Sequence, residues 1–317
     1  MTPSMYGSTK LTMTQERPFS SNKLMICNIC PHNCNLDRQT KFGVCQAPLD
    51  FQIAHIQLHQ WEEPCISGTN GSGTIFFSHC NLKCVFCQNH DISQGDYGKI
   101  INEQEFINLC QKLKAQGAHN LNLVSPTCYS QLLIKILPKV KVMTNLPIIW
   151  NSNSYEKPET INQFNNIIDV YLPDFKYYDN DLALKYSKTP NYFAIALKAL
   201  KEMVRQVGEV ELDENGLIKK GVIIRHLVLP GQIEDSKKVL KSIKDNFGNQ
   251  VWVSLMSQYY PAYKSLNYSE INRTLSQAEY NEIKNYYENL DFANGYFQEL
   301  ESADKAYTPN FRIQTLD

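Results

Sequence analysis

Cys80-Asn81-Leu82-Lys83-Cys84-Val85-Phe86-Cys87 is the stretch whose reading decides this chain. Three cysteines are separated by three and then two residues, with an aromatic residue directly before the last. Three thiolates on one tight loop hold three irons of a [4Fe-4S] cube, and no fourth cysteine follows at short spacing, so the fourth iron stays open. An open iron is a reaction site rather than a sealed electron carrier. The competing reading, half of a zinc site, needs a closed set of four ligands, with His79 or His90 as the fourth. Thr74-Ile-Phe-Phe-Ser-His79 reads as a buried strand that ends at the loop. The cluster reading accounts for the strand, the missing ligand and Phe86 together.

Outward from the loop, strand-like and helical segments alternate. Strands are expected at Asn120–Val124, Pro147–Trp150, Val170–Leu172, Val222–Leu229 and Val251–Leu255. A helix with Phe106, Leu109, Cys110 and Leu113 on one face stops at Gly117, and further helical patterns fall at 129–138, 158–167, 180–206 and 233–246. Six strands alternating with helices imply right-handed parallel βαβ units, which fits an α/β fold of the partial (β/α)6 TIM-barrel kind. Chemistry in such barrels sits at the C-terminal strand ends. Polar residues gather there: Ser125-Pro126-Thr127, Asn151-Ser152-Asn153, Asp174 with Lys176, Arg225 with His226, and Met256 with Gln258. A last helix opens near 277 with Ser276 and Glu279 as a capping box.

The chain has 317 residues, 43% hydrophobic, and a formal net charge of -1. That balance, without a dense basic block, gives no electrostatic support for nucleic-acid binding. No long apolar run or charged-then-apolar leader is seen, so a cytoplasmic protein without a membrane partner is expected. Ten cysteines in such a chain point to metal rather than disulfides. Cys27, Cys30, Cys34 and Cys45 form a second group, enough to close a tetrahedral zinc or hold a complete second iron-sulfur cluster. The expected organisation is a disordered tail over 1–22, a small Cys-rich metal-binding module over 23–66, the barrel over 67–262 and a helical extension over 263–317. His59, Trp61, Glu62 and Glu63 are read as packing the small module on the barrel, and Gly68–Thr74 as a turn. Cys110 reads as core, and Cys128 lies beside the expected site.

Over roughly 70–262 these residues resemble the radical SAM superfamily, whose open iron binds the amine and carboxylate of S-adenosylmethionine (SAM). Within it the chain looks like the pyruvate formate-lyase-activating enzymes. Trp150-Asn151-Ser152-Asn153-Ser154 resembles their Leu-Asp-Thr-Asn-Gly, and Asp174-Phe175-Lys176 their Asp-Leu-Lys. Ile224-Arg225-His226-Leu227-Val228-Leu229-Pro230-Gly231 resembles their Ile-Arg-Tyr-Val-Val-Val-Pro-Gly. Cys30-Pro31-His32-Asn33-Cys34, Glu63-Pro64-Cys65-Ile66-Ser67-Gly68 and Gly71–Phe77 resemble the PflX-like branch over most of 25–312. The Gly-Gly-Glu motif of many members is absent, with Ser125-Pro126-Thr127 in its place; Asn151 stands where the activases carry aspartate, and they lack the four-cysteine module.

The resemblance implies an oxygen-sensitive enzyme whose cofactors are a [4Fe-4S] cluster on Cys80, Cys84 and Cys87 and SAM, cleaved reductively to a 5′-deoxyadenosyl radical. It places Phe86 near adenine, Ser125 and Thr127 near the methionine amine, and Asn151, Asp174 and Lys176 nearer the carboxylate or ribose. Arg225 and His226 are expected beside a peptide backbone or carboxylate. The implied partners are a reducing donor such as flavodoxin or ferredoxin and a protein or peptide substrate, possibilities that include a glycyl radical enzyme. Two alternatives stand beside it: radical modification of a small molecule, and a non-catalytic iron-sulfur or zinc-stabilised protein.

Overall fold

The computed structural model describes residues 26–300 and Phe311; the expected tail over 1–22 lies outside them. The Cys-rich segment opens with β1 (Ile26–Cys27), paired antiparallel with β2 (Leu36–Asp37). Next come β3 (Phe51–His59), the short helix α1 (Pro64–Ser67), β4 (Ser72–Phe77), α2 (His90–Ser93), β5 (Lys99–Ile101) and α3 (Glu103–Ala115). The alternating part continues with β6 (Leu121–Val124), α4 (Ser130–Thr144), β7 (Ile148–Ser152), α5 (Pro158–Asn162) and β8 (Val170–Pro173). After these run α6 (Asn180–Ser187), α7 (Tyr192–Val207), β9 (Glu211–Leu212), β10 (Ile218–Leu227), α8 (Ile233–Phe247), β11 (Trp252–Met256), α9 (Gln277–Asn289) and β12 (Gly295–Phe297).

Strands β4, β6, β7, β8, β10 and β11 lie side by side and parallel, as the alternation predicts for a partial barrel. Two additions escaped the sequence reading. β12 extends the sheet parallel to β11, and β3 pairs antiparallel with both β4 and β5. β3 falls inside the stretch 23–66 that the sequence groups as a separate module, so that stretch supplies a strand of the main sheet, between β4 and the edge strand β5. Its run of Phe51, Ile53, Ala54 and Ile56 is buried because the sheet covers it. Among the described residues no helix is long and apolar enough to cross a membrane.

Period-two alternation sorts the strand residues into two layers. Ile75, Leu123, Trp150, Tyr171, Val222 and Leu255 belong to the large core that the helices cover. Ile149, Val170, Leu172 and Ile223 form a second core inside the barrel, closed by Cys65 and Ile66 of α1. This four-residue helix is therefore a plug. It ends at Gly68, whose φ of +51 suits glycine, and a Cβ there would meet Leu217 at 2.5 Å.

Three helix expectations are corrected. The pattern over 129–138 continues to Thr144 through Pro138, because Val140 and Thr144 are buried beyond it. The expected helix over 180–206 is two helices. Pro190 lacks an N–H and disfavours helix at Thr189, and Lys188 and Asn191 take positive φ. α5 also stops at Asn162, short of the expected 167. The capping boxes of α3, through Asn102 and Glu105, and of α9, through Ser276 and Glu279, are formed.

The plug carries a prediction. Ile66 is fully buried. Ile66→Ala should destabilise the protein by roughly 2–4 kcal/mol, since it opens a cavity that the strands cannot close. Val142, 84% exposed on α4, is the control, and Val142→Ala should stay within about 0.5 kcal/mol of the parent. Equal effects of the two in urea denaturation would show that α1 does not seal the barrel.

Candidate active site

The cysteine loop has almost no regular structure and is held from outside. At its entry His79 adopts φ +70, fixed by its N–H donating to the Ile92 carbonyl at 2.8 Å and its Nε2 against Gln52 Oε1 at 2.8 Å. Lys83 N–H donates to the Ser187 carbonyl at 3.0 Å and Val85 N–H to the Tyr186 carbonyl at 2.8 Å. Asn81 donates to the Tyr155 carbonyl at 2.7 Å and accepts from Asn153 at 2.8 Å. The break between α6 and α7 is what leaves the end of α6 placed beneath the loop.

Each sulfur has its own polar partner. Cys84 Sγ meets Ser187 Oγ at 3.0 Å and Cys87 Sγ meets Ser93 Oγ at 3.2 Å. Cys80 Sγ accepts from Leu82 N–H and from Asn153 Nδ2, both at 3.4 Å. Burial pushes the Cys80 and Cys84 thiols up to about 11, and the Lys176 ammonium pulls against that. Three separately held sulfurs on one loop, with N–H and O–H donors and a cation alongside, are the donor set that a multi-iron cluster takes. Among the described residues no three His, Cys, Asp or Glu side chains surround a single-ion point. Of the two histidines that a zinc reading calls on, neither lines the cavity: His79 is tied to Gln52, and His90 stacks on Tyr263 at 4.7 Å.

The three cysteines line a cavity of about 600 Å³ inside the barrel mouth. Phe86, Ser125, Asn151, Asp174, Lys176 and Arg225 line it too. Lys176 Nζ sits 2.6 Å from Asp174 Oδ2; burial opposes its charge, but Asp174 and the neighbouring sulfurs outweigh burial and raise its pKa. Two residues expected in the site are turned away from it. Thr127 lies on a buried turn and donates to Glu156 Oε1 at 2.8 Å, beside the donors Trp150 Nε1 and Ser152 Oγ. His226 neighbours Arg225 on β10, so strand alternation sends it to the helix side, where Nδ1 meets the Phe175 carbonyl at 2.7 Å.

The sequence reading missed the cavity floor. His59, Trp61, Glu62 and Glu63, expected only to pack a module, all line the cavity. Arg225 Nε donates to Glu63 Oε1 at 2.8 Å and Nη2 to Glu63 Oε2 at 2.5 Å, and Nη2 also bonds Glu62. Burial would raise Glu63, but the Arg225 guanidinium overrides it and holds the carboxyl below its ordinary range. One signal was present in the sequence: Arg225 in an apolar strand demands a buried carboxylate, and adjacent Glu62 and Glu63 stand before a buried turn.

Of the other cysteines, Cys27, Cys30, Cys34 and Cys45 lie close enough that their charges act on one another. They do not stand alone: Cys45 shares a hydrogen bond with Cys128, which lowers Cys45 and raises Cys128. Arg38 ties the segment to the barrel, donating to the Cys128 carbonyl at 2.6 Å and the Ala47 carbonyl at 3.1 Å. Cys65 bonds Tyr296 within the plug, and Cys110 is core as expected.

His226 gives a test of this layering. Burial depresses it to about 4 from 6.5. The unfolded chain then binds more protons between these values, so stability should fall as pH drops from about 6.5 towards 4, by on the order of 3 kcal/mol. His226→Gln should flatten that part of the curve in denaturation at stepped pH. An unchanged slope would place His226 in contact with solvent.

The family model for the Radical SAM superfamily matches residues 74–243, more than half the chain. The uncharacterized protein MJ0674 of Methanocaldococcus jannaschii is 35% identical over 265 residues, covering 80% of this chain and 71% of that one. Among solved structures, methylornithine synthase (PylB) is similar with a TM-score of 0.47 and 17% identity, covering 66% of this chain and 59% of that one. SuiB of Streptococcus suis, bound to S-adenosylmethionine, gives 0.49 and 14%, covering 71% and 49%. The chain thus spans only about half to three fifths of the length of these solved proteins. By the match of that family model over more than half its length, the chain belongs to the Radical SAM superfamily.

Proposed function

We propose that this chain removes a hydrogen atom from a peptide or protein substrate, in the manner of the pyruvate formate-lyase-activating enzymes and on the PflX-like branch. The supporting observation is that Cys80, Cys84 and Cys87 share one cavity with Ser125, Asn151, Asp174 and Lys176, in a chain of a superfamily defined by SAM-dependent radical chemistry. When bound, a [4Fe-4S] cluster and SAM supply one-electron reductive cleavage of SAM and the hydrogen-abstracting 5′-deoxyadenosyl group.

The chain's own residues bind, orient and exclude water. In this reading Cys80, Cys84 and Cys87 hold the cluster, and Ser187, Ser93 and Asn153 orient the sulfurs. Lys176 favours the thiolate form, and Phe86 and Met256 keep water from the cavity. Ser125, Asn151, Asp174 and Lys176 bind SAM, while Thr127 and His226 support the wall from behind. Cys27, Cys30, Cys34 and Cys45 hold a second centre, zinc or iron-sulfur, and an external donor such as flavodoxin or ferredoxin supplies electrons in the cytoplasm. Radical modification of a small molecule is a second reading, favoured by the α1 plug that closes the barrel interior below the cavity.

The test is anaerobic reconstitution with product analysis. Replacing Cys80, Cys84 and Cys87 together by Ala should remove about four irons and abolish 5′-deoxyadenosine formation; persistent SAM cleavage would defeat the assignment. Replacing Cys27 and Cys30 by Ala should cost either zinc or a second complement of iron, and no metal loss would defeat the second centre. A SAM-dependent glycyl doublet in electron paramagnetic resonance with a cognate protein supports the peptide reading. Deuterium transfer from a labelled metabolite into 5′-deoxyadenosine, without any doublet, replaces it with the small-molecule reading.

A further inference from the structure

We infer that Cys27, Cys30, Cys34 and Cys45 hold a redox-active [4Fe-4S] cluster that relays single electrons to the cluster on Cys80, Cys84 and Cys87, with Arg38 as its buried counter-charge. The inference rests on the reading of the cysteine loop as a radical SAM site and gives the N-terminal group its task there.

The four sulfurs sit in surroundings shaped for thiolates. The N–H groups of Ile29, His32 and Ala47 face the sulfurs of Cys27, Cys30 and Cys45. Each lies two residues beyond its cysteine, the same step by which Leu82 N–H donates to Cys80 Sγ in the loop. The Cys128 thiol adds a further donor to Cys45. Around Cys34 the backbone itself makes room, since a Cβ at Gly43 would stand 3.0 Å from its sulfur. As at the cysteine loop, no three of these side chains among the described residues surround a single-ion point. A tetrahedral zinc needs such a point, with each sulfur about 2.3 Å from one ion. A cube instead takes its thiolates on separate irons.

Charge points the same way. Arg38 is 6% exposed, and its guanidinium donates to three backbone carbonyls, those of Cys128, Ala47 and Pro48, rather than to a carboxylate. A buried cation without an anion is costly. Its charge reaches Cys27 and Cys45, so an anionic cluster on those sulfurs supplies the partner. Reduction adds one more negative charge to such a cluster. A buried cation and N–H donors to sulfur favour that added charge and raise the reduction potential. Zinc takes no electron and has no use for such tuning.

The contact between the two sulfur groups makes the N-terminal one a relay. His32, between Cys30 and Cys34, meets the carbonyl of Asn81, next to Cys80, at 2.7 Å. Cys128, bonded to Cys45, lies within reach of the charges of both Cys80 and Cys30. The groups are neighbours, yet they differ in access. The loop sulfurs line the cavity that SAM and substrate fill. The N-terminal group is flanked by exposed apolar side chains, Ile26 beside Cys27 and Phe42 and Val44 ahead of Cys45, and stays reachable while the cavity is occupied. One electron leaves a low-potential external donor such as a reduced flavin, enters the N-terminal cluster and passes to the loop cluster. No bond in the protein forms or breaks.

The experiment uses wild-type protein purified and reconstituted anaerobically. It should carry about eight irons and, once reduced, show two cluster signals in electron paramagnetic resonance. Reduced with titanium(III) citrate, freed of reductant and then given SAM, it should form about two 5′-deoxyadenosines per protein, because each cluster stores one electron. Both signals should fade together. About one 5′-deoxyadenosine per protein, with the second signal persisting, overturns the relay. So does a wild-type protein with about four irons and zinc at the N-terminal group. Arg38→Met should move the midpoint potential of the second cluster to more negative values, and Arg38→Lys should recover it. Equal potentials in the three folded proteins overturn the counter-charge; should the variants not fold, the wild-type electron count decides alone. No 5′-deoxyadenosine at all from reduced wild type sinks the functional reading on which the relay rests, while the iron count and the signals still judge the second cluster.

Discussion

The clamp between the cysteine loop and the end of α6 is the interaction on which the site depends. A loop of eight residues cannot hold three sulfurs in place by itself, because its backbone groups have no ladder to join. Here Ser187 and Tyr186 offer carbonyls to Lys83 and Val85, and the Ser187 hydroxyl meets Cys84. Those groups are available because Pro190 ends the helical run, so a helix-breaking residue far along the chain builds the seat for the loop. The Tyr192 hydroxyl, just past the break, donates to the carbonyls of Asn153 and Asp174 and brings two further strand ends into the same frame.

A second constraint is the filling of the barrel. A partial barrel of six parallel strands leaves its interior open at the bottom, and α1 closes it with Cys65 and Ile66. The residues leading into the plug are carried into the interior with it. That is how Glu62 and Glu63 reach Arg225, and how a cavity whose mouth is lined by thiols has a floor lined by carboxylates. The two ends differ in chemistry: sulfur, hydroxyl and amide groups with the Lys176–Asp174 pair at one, a carboxylate excess at the other.

The N-terminal cysteines belong to the same structure rather than to an appendage. Arg38 holds the Cys128 turn, the Thr160 hydroxyl donates to the Ile29 carbonyl at 2.8 Å, and His32 meets the Asn81 carbonyl inside the cysteine loop at 2.7 Å. The N-terminal group thus touches the cysteine loop directly, through the His32–Asn81 contact. With β3 joined into the main sheet between β4 and β5, the segment contributes strand, anchor and thiols together.

The parallel barrel was legible from the residues alone, because periodicity and turn residues are local and each βα unit carries its own signal. The three-cysteine loop was legible too, since its sulfurs lie within eight consecutive residues. That Asn151, Asp174, Lys176 and Arg225 would line one cavity was legible because strand ends in such a barrel share one face. Folding separated Arg225 from His226, adjacent residues that the pleat sends to opposite layers. It alone withdrew Thr127, whose hydroxyl is claimed by Glu156, a buried carboxyl raised in pKa by that burial. It also brought Glu62 and Glu63 to Arg225 across more than 160 residues. No local pattern encodes that pairing. A buried charge selects its partner by the cost of going without one, and that cost arises only when the chain closes around it.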